Sequence, residues 1–133
     1  MLDAFGGSGL VTFEAISRGA AVTTVEKNRA VGRQIQAEAE RMHVGIDLRI
    51  GDAAVVAASG KWDVVFMDPP YADDPSLWAG VGCTASRSML VIEHRSGVDM
   101  PTEVGDLVLD RSRRHGDSVL TVYRRRDASG VEE

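Results

Sequence analysis

Apolar residues fall in two rhythms along this chain. Short apolar runs recur at residues 1–5, 21–25, 46–50, 62–67 and 89–92, and between them apolar positions return every three or four residues. Runs of the first kind read as strands, and the stretches between them as helices with one apolar face. Residues 10–18 align Leu10, Phe13 and Ile16, and Arg18 with Gly19 supplies a cation and a glycine stop to the last turn. Asn28 is placed to cap a second helix that runs to about Met42, with Val31, Ile35 and Met42 apolar and Arg29, Arg33, Glu38, Glu40 and Arg41 solvated. Residues 53–58 predict a short helix of small residues. Strands alternating with helices at this spacing predict a parallel, doubly wound α/β sheet.

The rhythm changes after Tyr71. The next stretch contains Gly80 and Gly82, so the helix there is expected to be short or broken. Residues 107–111 and 118–123 predict a hairpin across His115-Gly116-Asp117. Val119, Leu120, Val122 and Tyr123 put apolar groups on both faces of its second arm, which is therefore expected inside the sheet. The hairpin would add one antiparallel strand near the edge. Residues 1–126 are expected to form one domain, and residues 127–133 a polar tail.

The strand at residues 62–67 ends in the most informative stretch, Asp68-Pro69-Pro70-Tyr71. Neither proline has an N–H for a ladder, so the chain must leave the sheet here. What projects is a carboxylate, a stiff run of carbonyls and an aromatic ring. That set suits a planar group carrying an NH₂: carboxylate and carbonyl accept its hydrogens, and the ring stacks on its face. Asp68, Pro69, Pro70 and Tyr71 are the expected catalytic residues.

Ligands of open α/β sheets sit outside the carboxyl ends of the strands. Asp3, Glu26, Asp52, Asp68 and Glu93 are expected there, one acid per strand. Clustered carboxylates repel a pyrophosphate, and the loop Gly6-Gly7-Ser8-Gly9 has Thr12 where a dinucleotide site wants its third glycine. A cofactor with a ribose, a positive charge and no phosphate fits better, and S-adenosylmethionine answers that description. Glu26 would take the ribose hydroxyls, Asp52 the adenine amino group, and the glycine loop would let backbone approach the methionine portion.

Charge and composition narrow the reading. The net charge is −5 over 133 residues, which argues against coating by nucleic acid but leaves room for a local basic patch. Thirteen of the fifteen cations are Arg, and eight of those follow Ser86, with clusters at Arg111, Arg113, Arg114 and at Arg124, Arg125, Arg126. Arg111, Arg113 and Arg114 are candidate contacts to RNA. The single Cys83 excludes an internal disulfide, and no apolar run approaches the ~18 residues of a membrane span, so a cytoplasmic monomer is expected. His43, His94 and His115 lack metal-ligand spacing, so no metal is expected. Trp62 is expected in the core, and Trp78 as a wall of the base site.

The segments Asp3-Ala4-Phe5-Gly6-Gly7-Ser8-Gly9, Glu14-Ala15-Ile16-Ser17-Arg18-Gly19-Ala20, Val25-Glu26-Lys27 and Asp68-Pro69-Pro70-Tyr71 together resemble class I methyltransferases. More narrowly, with Arg113-Arg114-His115-Gly116-Asp117-Ser118, they resemble the bacterial small-subunit ribosomal RNA guanine-N2 methyltransferases. The resemblance implies a Rossmann-like sheet, S-adenosylmethionine as cofactor and ribosomal RNA or a small-subunit assembly intermediate as partner. It implies a cofactor site of Asp3, Phe5, Gly6, Gly7, Ser8, Gly9, Glu26, Lys27, Asp52, Ala53 and Asp68. Members of that family begin before the first strand with a basic hairpin, whereas Met1 here falls within the strand, so an N-terminally shortened domain is expected. The Asp-Pro-Pro-Tyr element specifies an exocyclic amine without naming the base. Adenine-N6 methylation of DNA, methylation of a protein glutamine, and a cofactor-binding domain without turnover stand as alternatives.

Overall fold

A computed structural model describes residues 1–126, and the expected polar tail lies outside the described residues. The elements are β1 (Leu2–Asp3), α1 (Leu10–Ser17), β2 (Thr23–Glu26), α2 (Arg29–Arg41), β3 (Asp47–Ile50), α3 (Ala53–Ala57), β4 (Trp62–Met67), α4 (Pro75–Ala85), β5 (Ser86–Arg95), β6 (Glu103–Val104), β7 (Leu107–His115) and β8 (Ser118–Arg125). They form an eight-stranded sheet in the order β3-β2-β1-β4-β5-β8-β7-β6. β1 to β5 pair in parallel, and β8, β7 and β6 add antiparallel ladders. The order reverses at β1, whose neighbours β2 and β4 lead away in opposite directions. Such a switch point opens a crevice above the strand ends.

The doubly wound sheet and the internal position of the last strand are as the pattern predicts. Four features differ. α4 is one continuous helix despite Gly80 and Gly82. Asp74 caps it through a bond from the Ser76 N–H (2.9 Å), and Pro75 occupies its first turn. Gly82 is an asset there, because a Cβ would lie 2.5 Å from Leu90 Cδ1 and 3.2 Å from Met67 Sδ, so only glycine lets α4 approach the sheet so closely. β5 runs to Arg95, so Glu93 sits within the strand and not at its end. β6 was not anticipated, and the antiparallel part comprises three ladders, not one edge strand. Met42 lies beyond α2 as its C-cap and is exposed.

Leu2, Val25, Val65, Met67, Leu90, Ile92 and Tyr123 are fully buried in the sheet's core. Trp62 packs against that core half-buried, its indole N–H donating to Thr23 Oγ1 at 3.1 Å. Among the described residues no helix is long and apolar enough to cross a membrane.

Candidate active site

Two strand-to-loop corners build the crevice. At the first, the Ala4 N–H donates to Phe66 O (3.0 Å) and the Gly6 N–H to Val25 O (2.7 Å), drawing the chain after β1 across both neighbouring strands. Gly6 is required for this approach: a Cβ would lie 2.9 Å from Thr24 Cγ2 and 3.2 Å from Val25 O. Gly7 and Gly9 hold φ of 55° and 84°, the left-handed region that glycine enters without strain. Ser8 Oγ accepts the Leu10 N–H at 3.3 Å and helps start α1.

Glu26, at the end of β2, joins the corners. One carboxylate oxygen accepts the Gly7 N–H and the other the Asn28 N–H, both at 2.9 Å. The side chain is thereby fixed in orientation, with each oxygen keeping a lone pair for a ligand. Asp52 caps α3 through Oδ1, which takes the Ala54 and Val55 N–H groups at 2.8 and 3.2 Å. Neither bond uses Oδ2.

These corners enclose a cavity of about 290 Å³. Phe5, Gly7, Glu26, Lys27, Asp52, Ala53 and Asp68 of the expected cofactor set line it. Asp3, Gly6, Ser8 and Gly9 do not reach its lining and shape it from behind. One wall residue, Asp73, escaped the sequence reading, and a second, Trp78, walls a different hollow from the one expected. Asp73 accepts the Trp78 indole N–H at 3.0 Å, and Trp78 meets Phe5 edge to face with ring centres 4.9 Å apart. Trp78 thus borders the cofactor cavity, not the cleft at Tyr71 where it was expected. The usable signal was Asp73 and Trp78 standing five apart across a Pro-started helix.

Asp3 is almost wholly buried, at 1% exposure. Its Oδ2 accepts the Thr12 hydroxyl at 2.7 Å, and its Oδ1 has no partner among the described residues. Burial raises its pKa to about 6; the Thr12 hydroxyl and the Phe5 backbone N–H oppose it, and the charges of Asp68 and Glu26 add to it. Asp68 is also raised, by burial first and by the Glu93 carboxylate second. The crevice floor is therefore electronegative and short of positive charge.

The second expected centre stands beside the first. Asp68 and Pro70 line the large cavity, while Pro69, Pro70 and Tyr71 line a narrow cleft with Glu93, His94 and Arg95. The Tyr71 ring is 55% exposed, and its hydroxyl lies 3.4 Å from Ser118 Oγ. His94 is buried; its Nδ1–H donates to Arg95 O (2.9 Å), which leaves Nε2 to accept the Thr121 hydroxyl (2.7 Å). Among the described residues no group of three His, Cys, Asp or Glu is placed to hold a metal ion.

The two arginine clusters differ. Arg124 pairs with Asp110 (2.9 Å), Arg125 with Asp106 (3.5 Å) and Arg126 with Glu103 (2.8 Å). Arg111, Arg113 and Arg114 are exposed and form no ion pair among the described residues.

The family model described as Conserved hypothetical protein 95 matches residues 1–124. Ribosomal RNA small subunit methyltransferase D of Escherichia coli is 28% identical over 141 residues, covering 99% of this chain and 71% of that protein. A conserved hypothetical protein of Streptococcus pyogenes superposes with a TM-score of 0.84 at 32% identity, covering 94% of this chain and 84% of that one. A SAM-dependent methyltransferase of Neisseria gonorrhoeae shares the fold, with a TM-score of 0.70 at 20% identity over 99% of this chain and 68% of that one. With a crevice at the switch point, an acid-lined cavity and an Asp-Pro-Pro-Tyr corner between its two hollows, this chain belongs to the Conserved hypothetical protein 95 family, the family of small-subunit ribosomal RNA methyltransferase D, and has a Rossmann-like methyltransferase fold.

Proposed function

We propose that the protein methylates an exocyclic amine of small-subunit ribosomal RNA, the N2 of a guanine, with S-adenosylmethionine as donor. One observation carries this reading: the Asp68–Tyr71 corner faces both hollows, with Asp68 and Pro70 on the larger and Pro70 and Tyr71 on the cleft. A base stacked on the exposed Tyr71 ring at the mouth of the cleft can therefore reach a group held in the cavity past a single carboxylate. The relative named Ribosomal RNA small subunit methyltransferase D supports the substrate class.

The residues present fit the donor. It is a cation with a ribose, an adenine and no phosphate, and the cavity offers carboxylates and no cluster of cations. The buried Asp3 Oδ1 lacks a partner, which suits positive charge overhead. Glu26 would hold the ribose hydroxyls, Asp52 Oδ2 the adenine amino group, and Phe5 and Trp78 would flank the ring. When bound, S-adenosylmethionine supplies a methyl group on a positively charged sulfur, open to direct displacement.

The chain's own residues would do the rest. An aromatic amine is a weak nucleophile because its lone pair is delocalised into the ring. Asp68 and the Pro69 carbonyl would accept its two hydrogens, favour a pyramidal nitrogen and stabilise the positive charge that grows there. Asp68 must be ionised for this role. Tyr71 would stack on a base turned out of its helix, which costs a few kcal/mol. Positioning of this kind supplies up to ~7–11 kcal/mol in favourable systems.

The test is transfer of labelled methyl to undermethylated small subunits, followed by nucleoside analysis. Label is expected in N2-methylguanosine. Label in N6-methyladenosine or in protein would overturn the substrate while leaving the cofactor site standing. Asp68→Ala is expected to abolish transfer and keep cofactor affinity within a few-fold. Equal loss of both would make Asp68 a structural residue.

A further inference from the structure

The C-terminal strands display their cations on one side of the sheet. In an antiparallel ladder, residues opposite each other share a face. Ile92 pairs with Thr121, and Thr121 with Ser112. His94, Thr121 and Ser112 are joined there by side-chain hydrogen bonds of 2.7 and 3.2 Å, which fixes one face as theirs. The rows that alternate with it, Val91-Val122-Arg111, Glu93-Leu120-Arg113 and Arg95-Ser118-His115, must look the other way.

That second face carries Arg111, Arg113 and Arg95, all exposed and without an ion-pair partner among the described residues. Glu93 is the one acid in the three rows. Leu120, at 37% exposure, sits between Glu93 and Arg113 as an apolar seat in the middle of the strip. Arg114 shares the Ser112 face and turns its Nε to Gly116 O (2.9 Å), so it leaves the strip. Arg124 is occupied by Asp110. Beyond Val108, β6 no longer pairs with β7, so among the described residues no strand covers the outer edge at Arg111 and Arg113. The strip ends at the candidate catalytic corner, because Ser118 stands in the Arg95 row and meets the Tyr71 hydroxyl at 3.4 Å.

We infer that an RNA strand crosses this face, with phosphates on Arg111 and Arg113, Arg95 beside the cleft, and the target base turned in at Tyr71. The inference rests on the RNA substrate proposed above and narrows it to one face of β5, β8 and β7. Charge complementarity selects the occupant: a chain of net charge −5 that leaves three arginines unneutralised around an apolar seat matches a polyanion with stacking bases.

The experiment measures affinity for a small-subunit RNA fragment across a salt series, with cofactor affinity from calorimetry as the check on folding. Each phosphate contact removed flattens the plot of log affinity against log salt by about 0.7–0.9. The double variant Arg111→Gln/Arg113→Gln is expected to lose about 1.4–1.8 from that slope while binding S-adenosylmethionine as before. Arg114→Gln and Arg124→Gln are expected to keep the slope. A double variant that methylates and binds RNA with the original slope would overturn this inference alone, as would a slope that falls only in Arg114→Gln. If the unaltered protein binds cofactor but neither binds nor methylates RNA, or if the strip captures an acidic protein instead, the RNA reading falls and this one with it.

Discussion

The buried Asp3 carboxyl makes the fold sensitive to pH in a direction opposite to most carboxylates. Its pKa stands at about 6 in the folded chain against an ordinary 3.8. The folded state therefore holds a proton that the unfolded state gives up earlier. Stability from this group is complete below about pH 4, falls as pH rises through about 6, and stays lost above it. The gap between the two values corresponds to roughly 3 kcal/mol. Asp68, raised by burial and by Glu93, acts in the same sense, whereas Asp47, held low by its bond to Arg49, loses stability as pH falls. A comparison with Asp3→Asn isolates the one group. The amide keeps an acceptor for the Thr12 hydroxyl and places an NH₂ at the unpartnered Oδ1, a cost that does not vary with pH. Urea unfolding of both proteins at pH 4 and pH 7.5, without cofactor, should show the original chain losing up to about 3 kcal/mol relative to Asp3→Asn across that range. A difference that stays flat, or runs the other way, would refute the buried, proton-holding carboxyl.

Glu26→Gln removes a charged acceptor from the cavity and replaces the anchor of the Gly7 and Asn28 N–H groups. Cofactor affinity measured by calorimetry is expected to fall by about 1.5–3 kcal/mol. Glu93→Gln removes the negative charge beside Asp68, so the Asp68 pKa is expected to drop and the acid limb of the activity profile to move to lower pH. A limb that moved up would show that Asp68 does not act as an anion. Gly82→Ala forces a methyl against Leu90 and Met67, and overpacking of that kind costs ~1–3 kcal/mol, read as a lower midpoint in thermal unfolding.

Much of this architecture was legible because it is written in local patterns. The Asn28 cap, the small-residue α3 and the Asp68-Pro69-Pro70-Tyr71 corner each depend on neighbours within a few positions. What was missed depends on distant ones. Gly82 has the composition of a helix breaker, and only the closeness of Leu90 and Met67 makes it a packing residue. Glu93 looked like a strand end because the apolar run stops at Ile92, but pairing with β8 carries β5 on to Arg95. Asp3 has a pocket-lining acid's place in the sequence, yet the two-residue β1 ends beneath the glycine loop and Thr12 covers its side chain. Trp78 was given to the wrong hollow because its wall depends on how α4 lies. The division of the arginines by face needed the β7–β8 register, with a shift between Leu109 and Arg111 that periodicity alone does not reveal.

β8 has one more consequence, for the order of events during synthesis. It is made after β7 and yet lies between β5 and β7. Until Ser118–Arg125 has left the ribosome, β5 has no partner on its outer side, and β7 and β6 have no ladder joining them to the parallel strands. The nascent chain therefore presents an unpaired edge along Leu90 and Ile92, residues that end fully buried. Such edges are sites of mispairing between chains. Closure of the sheet is a late, single insertion, and a pause in translation before Ser118 would prolong the interval in which nascent copies can aggregate.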